Sequence, residues 1–168
     1  MKNKILITGG AGFISSYLIK KIKNKKNLIL VDKKKNKKLI SKLKKQNIKY
    51  IHGNLEDKKF SKKIYKNVKL IYHLAGTVKV PSTDVNLNLN KEKKIYREAL
   101  KIINNLVNFT NNKARVIFPS THLIFENSKK NKEVFNEKSK PLPYLAYSRS
   151  KYKCEQILEE SGLNYNIL

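Results

Sequence analysis

The sequence predicts an α/β domain built on a doubly wound parallel sheet, and three observations support this fold class. Short apolar runs alternate with segments of helical periodicity along the 168 residues. The runs are bounded by Gly, Asn or Pro, which is typical of buried parallel strands. Leu, Ile, Val and Phe supply 51 residues, about 30% of the chain, which suffices for a packed core. The alternation of strands and helices implies right-handed crossovers between parallel strands.

Six apolar runs are the predicted strands, and four segments between them have helical periodicity. The predicted strands occupy residues 4–8, 27–31, 48–52, 68–74, 115–120 and 164–168. The predicted helices carry apolar residues on one face and occupy residues 13–22, 39–43, 95–109 and 147–158. Because no internal repeat or long linker interrupts this order, a single domain over residues 1–168 is predicted. Its polar stretch at 127–143 is predicted to be a surface loop.

The net charge of +26 raises nucleic-acid binding as a possible function, but its composition argues against it. The basic residues are 35 Lys and only 3 Arg, spread through the chain, whereas proteins that bind nucleic acid favour Arg. Lys and the 20 Asn both have A/T-rich codons, so codon bias accounts for the excess. Nucleic acid is therefore not the expected partner, and a salt-sensitive polyanion surface is the alternative.

Cysteine content and hydropathy predict a cytoplasmic protein. The single cysteine, Cys154, excludes a disulfide scaffold and fits a reducing compartment. No apolar run approaches the roughly 18 residues of a membrane span. The first run, residues 5–7, is too short and too soon followed by glycines to be a signal peptide. No membrane partner is expected.

A glycine loop directly after the first strand indicates a dinucleotide site. Residues 8–15 read TGGAGFIS and open the first predicted helix, where free N–H groups attract a pyrophosphate. Asp32 ends the second strand, 20 residues after Gly12, where its carboxylate can accept the ribose hydroxyls of NAD. The alternative for Asp32 is a solvated acid at a strand end. The three lysines at 33–35 leave NADP open as well as NAD.

The glycine loop resembles the TGGxGFIG fingerprint of the extended short-chain dehydrogenase/reductase superfamily, specifically its NAD-dependent sugar epimerases and dehydratases. Ser15 stands where the third glycine of the family lies, and we expect it to affect packing rather than phosphate binding. The resemblance implies a Rossmann-type sheet with strand order 3-2-1-4-5-6. It also implies NAD as the cofactor and a nucleotide sugar as the partner molecule.

Two further segments match the family in order. Residues 53–57, GNLED, resemble its Gly-Asp-Leu segment, with Asn54 in place of Asp, and residues 73–76, HLAG, resemble its His-Leu-Ala-Ala/Gly segment. His73 itself is interpreted as a structural histidine with no role in proton transfer. The cofactor-binding residues that the resemblance implies are Gly9, Gly12, Phe13, Ile14, Asp32, Asn54, Leu55, Leu74, Ala75, Gly76, Tyr147 and Lys151.

Tyr147 and Lys151 are spaced i, i+4 and share one helix face. A phenol with a pKa near 10 is a poor base at neutral pH, and a nearby ammonium favours the phenolate. The spacing alone arises by chance in a lysine-rich chain, as Tyr65 and Lys69 illustrate. Its position after Thr121 matches the Ser/Thr, Tyr, Lys triad of the superfamily. The resemblance implies that Tyr147 is the general base, assisted by Thr121 and Lys151, for hydride transfer from a sugar carbon.

The subfamily is less clearly indicated. The 4,6-dehydratases have Asp-Glu after the Thr, but here residues 122–123 are His-Leu, which argues against that activity. Epimerase-like chemistry is favoured, with a 4-keto-sugar reductase as the alternative, because residues 120–126 resemble the reductase pattern. Phe125 and Glu126 replace the usual Tyr-Gly.

Members of the family are much longer than 168 residues, so the C-terminal substrate domain is expected to be absent. Three hypotheses follow: the cofactor-binding portion of a sugar-modifying enzyme, a non-catalytic dinucleotide-binding fragment, and a basic nucleic-acid-binding module. The resemblance also implies a possible homodimer through the helices around 95–109 and 147–158.

Overall fold

The computed structural model describes residues 4–77, 89–126 and 134–168. The strands are β1 (Ile5–Thr8), β2 (Leu28–Asp32), β3 (Lys49–His52), β4 (Leu70–His73), β5 (Arg115–Phe118) and β6 (Asn164–Ile167). The helices are α1 (Phe13–Lys21), α2 (Lys37–Lys45), α3 (Lys58–Tyr65), α4 (Leu89–Phe109) and α5 (Ala146–Glu159). A short 3-10 helix, His122–Phe125, follows β5. Residues 127–133 of the predicted surface loop lie outside the described residues.

The six strands form one parallel sheet in the order β3-β2-β1-β4-β5-β6, which confirms the predicted fold class and strand order. Thr8, the last residue of β1, pairs with Val31 of β2 and with His73 of β4. All the strands are parallel, but successive strands are added on one side of β1 up to β3 and on its other side from β4 onward, so the strand order reverses between β1 and β4. In sheets of this kind ligands bind beyond the carboxyl ends of the strands at that reversal.

Both faces of the sheet are buried, as expected for parallel strands. Successive residues of β1 serve opposite faces: Leu6 packs in the cluster with α3, α4 and α5, and Ile7 packs in the cluster with α1 and α2. Helix residues such as Leu106 and Leu158 complete the first cluster, and Ile19 contributes to the second. The strand ends are thereby fixed on both sides, so the loops that follow them are held on a rigid base.

Helix α3 begins at a side-chain cap that the sequence patterns did not reveal. The Asp57 carboxylate accepts a hydrogen bond of 2.9 Å from the Phe60 amide, which satisfies an otherwise unpaired N–H of the first turn. Asn36 caps α2 in the same way through the Leu39 amide, at 3.0 Å. None of the helices in the described ranges has the length and apolarity that a bilayer crossing requires.

Candidate functional site

The glycine loop between β1 and α1 approaches the end of β4 backbone to backbone. Gly9 has φ of +68°, and a Cβ at this position would lie 2.7 Å from the carbonyl oxygen of Leu74. The loop is also fixed to β2, because the Gly10 amide donates to the Val31 carbonyl oxygen at 2.9 Å. A side chain at Gly9 would therefore force the loop away from the strand ends where the pocket forms.

The amino terminus of α1 is left open for an anion. Gly12 is the N-cap and provides no side-chain hydrogen bond, and the first turn contains no acidic residue. Phe13 and Ile14, which are 78% and 56% exposed, are the first two residues of the helix, and the amides of a first turn have no partner within the helix. Such unpaired N–H groups and the helix dipole favour a phosphate.

Ser15 takes the position of the third family glycine without leaving its hydroxyl unpaired. The residue is fully buried, and its Oγ donates a hydrogen bond of 2.8 Å to the Gly9 carbonyl oxygen. The hydroxyl thus links the first turn of α1 to the start of the glycine loop. This contact explains how the loop keeps its course despite the added side chain.

The Asp32 carboxylate orders the loops on both sides of β2. One oxygen accepts a hydrogen bond of 2.9 Å from the Ala11 amide, and the other accepts one of 2.8 Å from the Lys34 amide. Asp32 is therefore not a freely solvated acid, because both of its carboxylate oxygens are bonded to loop amides. Each carboxylate oxygen keeps a lone pair for a hydroxyl group of a ligand.

A pocket of 160 Å³ opens beside the glycine loop at the carboxyl ends of β1, β2, β3 and β4. Eight of the predicted cofactor residues line it: Gly9, Gly12, Asp32, Asn54, Leu55, Leu74, Ala75 and Gly76. Residues outside that predicted set also line it: Ala11, Val31, Lys33, Lys34, Gly53, Thr77 and Ile102. The other predicted cofactor residues, Phe13, Ile14, Tyr147 and Lys151, are not among the lining residues. The pocket is therefore built from the loops that follow four neighbouring strands.

Asn54 stabilises the loop that follows β3. Its Oδ1 accepts a hydrogen bond of 3.1 Å from the Glu56 amide, which closes a local turn. From α4, the Asn105 side chain donates to the carbonyl oxygens of Leu55 and Glu56, at 2.8 and 3.2 Å. The buried Asn105 thus fixes one wall of the pocket.

His73 is a buried structural residue at the end of β4. Its Nδ1 lies 3.0 Å from the Thr8 hydroxyl, which also accepts a hydrogen bond of 3.1 Å from the Ala75 amide. Burial, aided by the charge of Lys151, lowers the pKa of His73 to about 3. A neutral imidazole at physiological pH supports the structural interpretation and ties β1 to the start of the pocket loop.

Thr121, Tyr147 and Lys151 lie at the carboxyl end of β5 and along the first turns of α5. Burial raises the pKa of Tyr147 above its ordinary value, and the Thr121 side chain lowers it in part. The Lys151 Nζ donates to the Pro119 carbonyl oxygen at 2.7 Å and lies 4.3 Å from the centroid of the Phe118 ring. The upward pKa shift of Tyr147 differs from the sequence expectation, because burial outweighs the effect of Thr121 and the Lys151 ammonium contacts Pro119 and Phe118 instead.

The triad cluster adjoins the glycine-loop pocket through a chain of contacts. The Phe118 ring stacks on His73, with 6.0 Å between the ring centroids, and Lys151 lies over the same Phe118 ring. His73 in turn contacts Thr8, which immediately precedes the glycine loop. One edge of the sheet therefore brings together the predicted cofactor pocket and the predicted catalytic side chains.

Two acidic residues to which the sequence assigned no role support this cluster. Glu126 accepts hydrogen bonds of 2.6 Å from the Tyr144 and Leu145 amides and one from the Ser148 hydroxyl, and so ties the segment that leads into α5 to the 3-10 helix. Glu155, one turn after Lys151, accepts a hydrogen bond from the Ser120 hydroxyl. Burial raises the pKa of Glu155.

No group of three or more His, Cys, Asp or Glu with the arrangement of a metal site occurs within residues 4–77, 89–126 and 134–168. The donors at the site are instead amides, hydroxyls and ammonium groups. Their chemistry suits an anionic organic ligand.

The sequence matches the NAD dependent epimerase/dehydratase family over residues 5–168. The chain belongs to this family. A comparison with curated protein sequences yields no match. The family match agrees with the predicted Rossmann-type fold and with the order of motifs along the chain.

Solved structures of sugar-nucleotide enzymes share the fold. The UDP-Glc/GlcNAc 4-epimerase from Campylobacter jejuni has a TM-score of 0.77 at 22% identity, over 98% of this chain and 52% of that chain. The UDP-glucose 4-epimerase from Bifidobacterium longum, solved with NAD+ and UDP, has a TM-score of 0.76 at 20% identity, over 98% and 52%.

The same fold occurs in the dTDP-glucose 4,6-dehydratase from Streptomyces venezuelae, whose double mutant was solved with NAD. Its TM-score is 0.76 at 18% identity, over 98% of this chain and 54% of that chain. The present chain thus spans about half the length of these three structures.

Proposed function

We propose that this chain is the NAD-binding portion of a nucleotide-sugar epimerase/dehydratase-type enzyme that acts by hydride transfer at a sugar carbinol, assisted by Tyr147 and Lys151, with epimerase-like chemistry favoured. The observation that carries the proposal is the adjacency of two clusters at one sheet edge. The glycine-loop pocket adjoins the Thr121, Tyr147 and Lys151 cluster through Phe118 and His73.

The residues present fit a dinucleotide. A Cβ at Gly12 would lie 3.0 Å from the Gly9 carbonyl oxygen, so glycine keeps the loop narrow beside the open helix terminus. The amides of Phe13 and Ile14 would hold the pyrophosphate, and Asp32 would accept the ribose hydroxyls of the adenosine half. Leu55 and Ala75 also line this pocket.

When bound, NAD supplies the acceptor for the hydride. The Tyr147 phenolate would take the proton from the sugar hydroxyl, and the Thr121 hydroxyl would hold the phenolic oxygen toward the reacting group. Lys151 keeps its ammonium beside the strand end through the Pro119 carbonyl oxygen, at 2.7 Å. From there it would bind the nicotinamide ribose and favour the charged forms that develop nearby.

Two alternatives follow from specific observations. His122 and Leu123 at the 3-10 helix provide no carboxylate, while residues 120–126 keep the reductase-like pattern, which favours a 4-keto-sugar reductase as the second candidate. The chain also covers about half of its structural relatives, so a non-catalytic dinucleotide-binding fragment is the alternative of another class.

A homodimer and a cytoplasmic location are further parts of this proposal. Helices α4 and α5 pack side by side, and Ile95, Tyr96 and Leu100 on α4 are only half-buried. A second copy of the chain would cover these side chains. The buried, free Cys154 supports a reducing compartment.

The test of this proposal is Tyr147→Phe, assayed with NAD and UDP- or dTDP-hexoses by epimer analysis and NADH absorbance. We expect turnover to fall by at least about 100-fold while NAD affinity is retained, because only the proton acceptor is lost. Tyr144→Phe is the matched control, because Tyr144 is exposed just before α5. Undiminished turnover in Tyr147→Phe would refute the assignment. A wild-type chain that binds NAD without turnover would favour the non-catalytic alternative.

A further inference from the structure

Glu98 of α4 joins two walls of the glycine-loop pocket. The Thr77 hydroxyl donates a hydrogen bond of 3.1 Å to its Oε2, and the Lys33 Nζ lies 3.6 Å from the same oxygen. Lys33 and Thr77 both line the pocket, from the loops after β2 and β4. Ile102, one turn further along α4, also lines it. Glu98 therefore links loops on opposite sides of the reversal point of the sheet.

The Glu98 side chain is much less exposed than that of Lys33, the cation with which it pairs. The exposed fractions of the two side chains are 16% for Glu98 and 56% for Lys33. Lys94 supports Glu98 from the solvent side, with its Nζ 3.9 Å from Oε1. The carboxylate thus occupies a fixed place on α4, and the flexible Lys33 chain is drawn toward it.

Lys33 follows directly on Asp32, the proposed ligand of the adenosine ribose. NAD and NADP differ at that ribose only by a 2′-phosphate, and dinucleotide sites accept the phosphate through a nearby cation. Lys33 is a cation at the required place in the sequence, but its ammonium is engaged by Glu98 rather than free to face the ribose.

We propose that Glu98 is a specificity-determining residue of the cofactor site: by holding Lys33, and by placing a negative charge beside it, Glu98 disfavours NADP relative to NAD. This inference rests on the proposed dinucleotide binding. Asp32 supplies the first discrimination through its own charge. Glu98 adds to it by withdrawing the neighbouring cation that the three lysines at 33–35 offer.

The test is isothermal titration of NAD and NADP into the wild-type chain and into Glu98→Gln at one salt concentration. We expect the ratio of NADP affinity to NAD affinity to rise about two- to fivefold, as befits an ion pair with an exposed partner. Lys33→Gln combined with Glu98→Gln should remove most of this gain, because the freed cation produces it.

Glu92→Gln is the matched control. Glu92 lies on the same helix, is 17% exposed, and pairs with Arg149 at 3.8 Å instead of with a pocket residue. The ratio should stay unchanged in this variant. An equal rise in Glu92→Gln would show that net charge alone accounts for the effect and would overturn the assignment.

Lys33→Gln alone keeps the test decisive if Glu98→Gln does not fold. We expect NADP affinity to change by less than about twofold, since the Lys33 ammonium is already paired with Glu98. A loss of NADP affinity of about fivefold or more would show a free Lys33 and overturn the proposal. NAD binding with an unchanged ratio in a folded Glu98→Gln would overturn this inference alone. A wild-type chain that binds neither dinucleotide would overturn the proposed function and this inference with it.

Discussion

The Thr121 side chain interacts with the phenol of Tyr147 and lowers its pKa, against the larger effect of burial. Thr121 lies directly before the 3-10 helix that follows β5, and Tyr147 lies in the first turn of α5. The strand end and the helix start thus meet at the atom that the proposed reaction needs as its base.

The pH dependence of turnover should depend on the interaction between Thr121 and Tyr147. Because burial raises the pKa of Tyr147, the basic form increases toward alkaline pH, so kcat/KM is expected to rise through the neutral range. Thr121→Val removes a contact that lowers this pKa, so the acid limb of the profile should move to higher pH. Thr121→Ser keeps the hydroxyl and should leave the limb in place. An acid limb at the same pH in Thr121→Val as in the wild type would show that Thr121 does not influence the pKa of the catalytic base.

A comparison of Gly9 with Gly162 distinguishes the cost of a left-handed backbone conformation from the cost of a close contact with a neighbouring strand. Gly9 and Gly162 both have φ of +68°, but a Cβ at Gly9 meets the Leu74 carbonyl oxygen at 2.7 Å, and one at Gly162 meets nothing within 4 Å. Gly162→Ala should cost about 1–2 kcal/mol of unfolding free energy from the left-handed conformation. Gly9→Ala should cost about 1–3 kcal/mol more, since the loop must also move away from β4. Urea unfolding of the two variants measures the difference, and equal losses would contradict the close packing.

The acidic residues at the two ends of α5 should contribute unequally to stability. Glu126 accepts the Tyr144 and Leu145 amides at the amino end, at 2.6 Å each, and Glu160 is the cap at the carboxyl end. Glu126→Ala should lower the free energy of unfolding by about 1 kcal/mol, because it leaves these N–H groups without a partner. Glu160→Ala should cause no loss. Thermal unfolding distinguishes the two variants. A Glu126→Ala variant as stable as the wild type would show that these hydrogen bonds of Glu126 do not stabilise the fold.

Of the elements in the described residues, the sequence predicted all six strands and four of the five α-helices, because each has enough apolar residues to be recognised. Helix α3 was missed, since it has eight residues and four of them are lysines. Helix α4 begins at Leu89, six residues before the predicted start at 95, because the intervening turns are largely polar. For α3 the Asp57 cap stabilises a helix that lacks a hydrophobic pattern of sufficient length.

Site residues could be predicted from the sequence where the backbone conformation requires a particular residue type. They could not be predicted where a side chain contacts residues that are distant in the sequence. Gly9 is required by its φ and by the approach of Leu74, and such constraints leave a local motif. Glu98, Glu126 and Glu155 act on residues 18 or more positions away. In a chain with 35 lysines, a single acidic residue cannot be distinguished from the acids of a solvent-exposed charged surface, so only the structure reveals these partners. Glu155 offered a weak signal, its i, i+4 spacing from Lys151.

Calorimetric titration of the chain with NAD, beside Gly12→Val, tests the central claim most directly. The account predicts saturable binding at one site per chain and its loss in Gly12→Val, since a Cβ at Gly12 already lies 3.0 Å from the Gly9 carbonyl oxygen and Val adds two methyl groups. Circular dichroism should show that the variant stays folded. No binding of NAD by the folded wild-type chain, or equal binding by a folded Gly12→Val, would contradict the account.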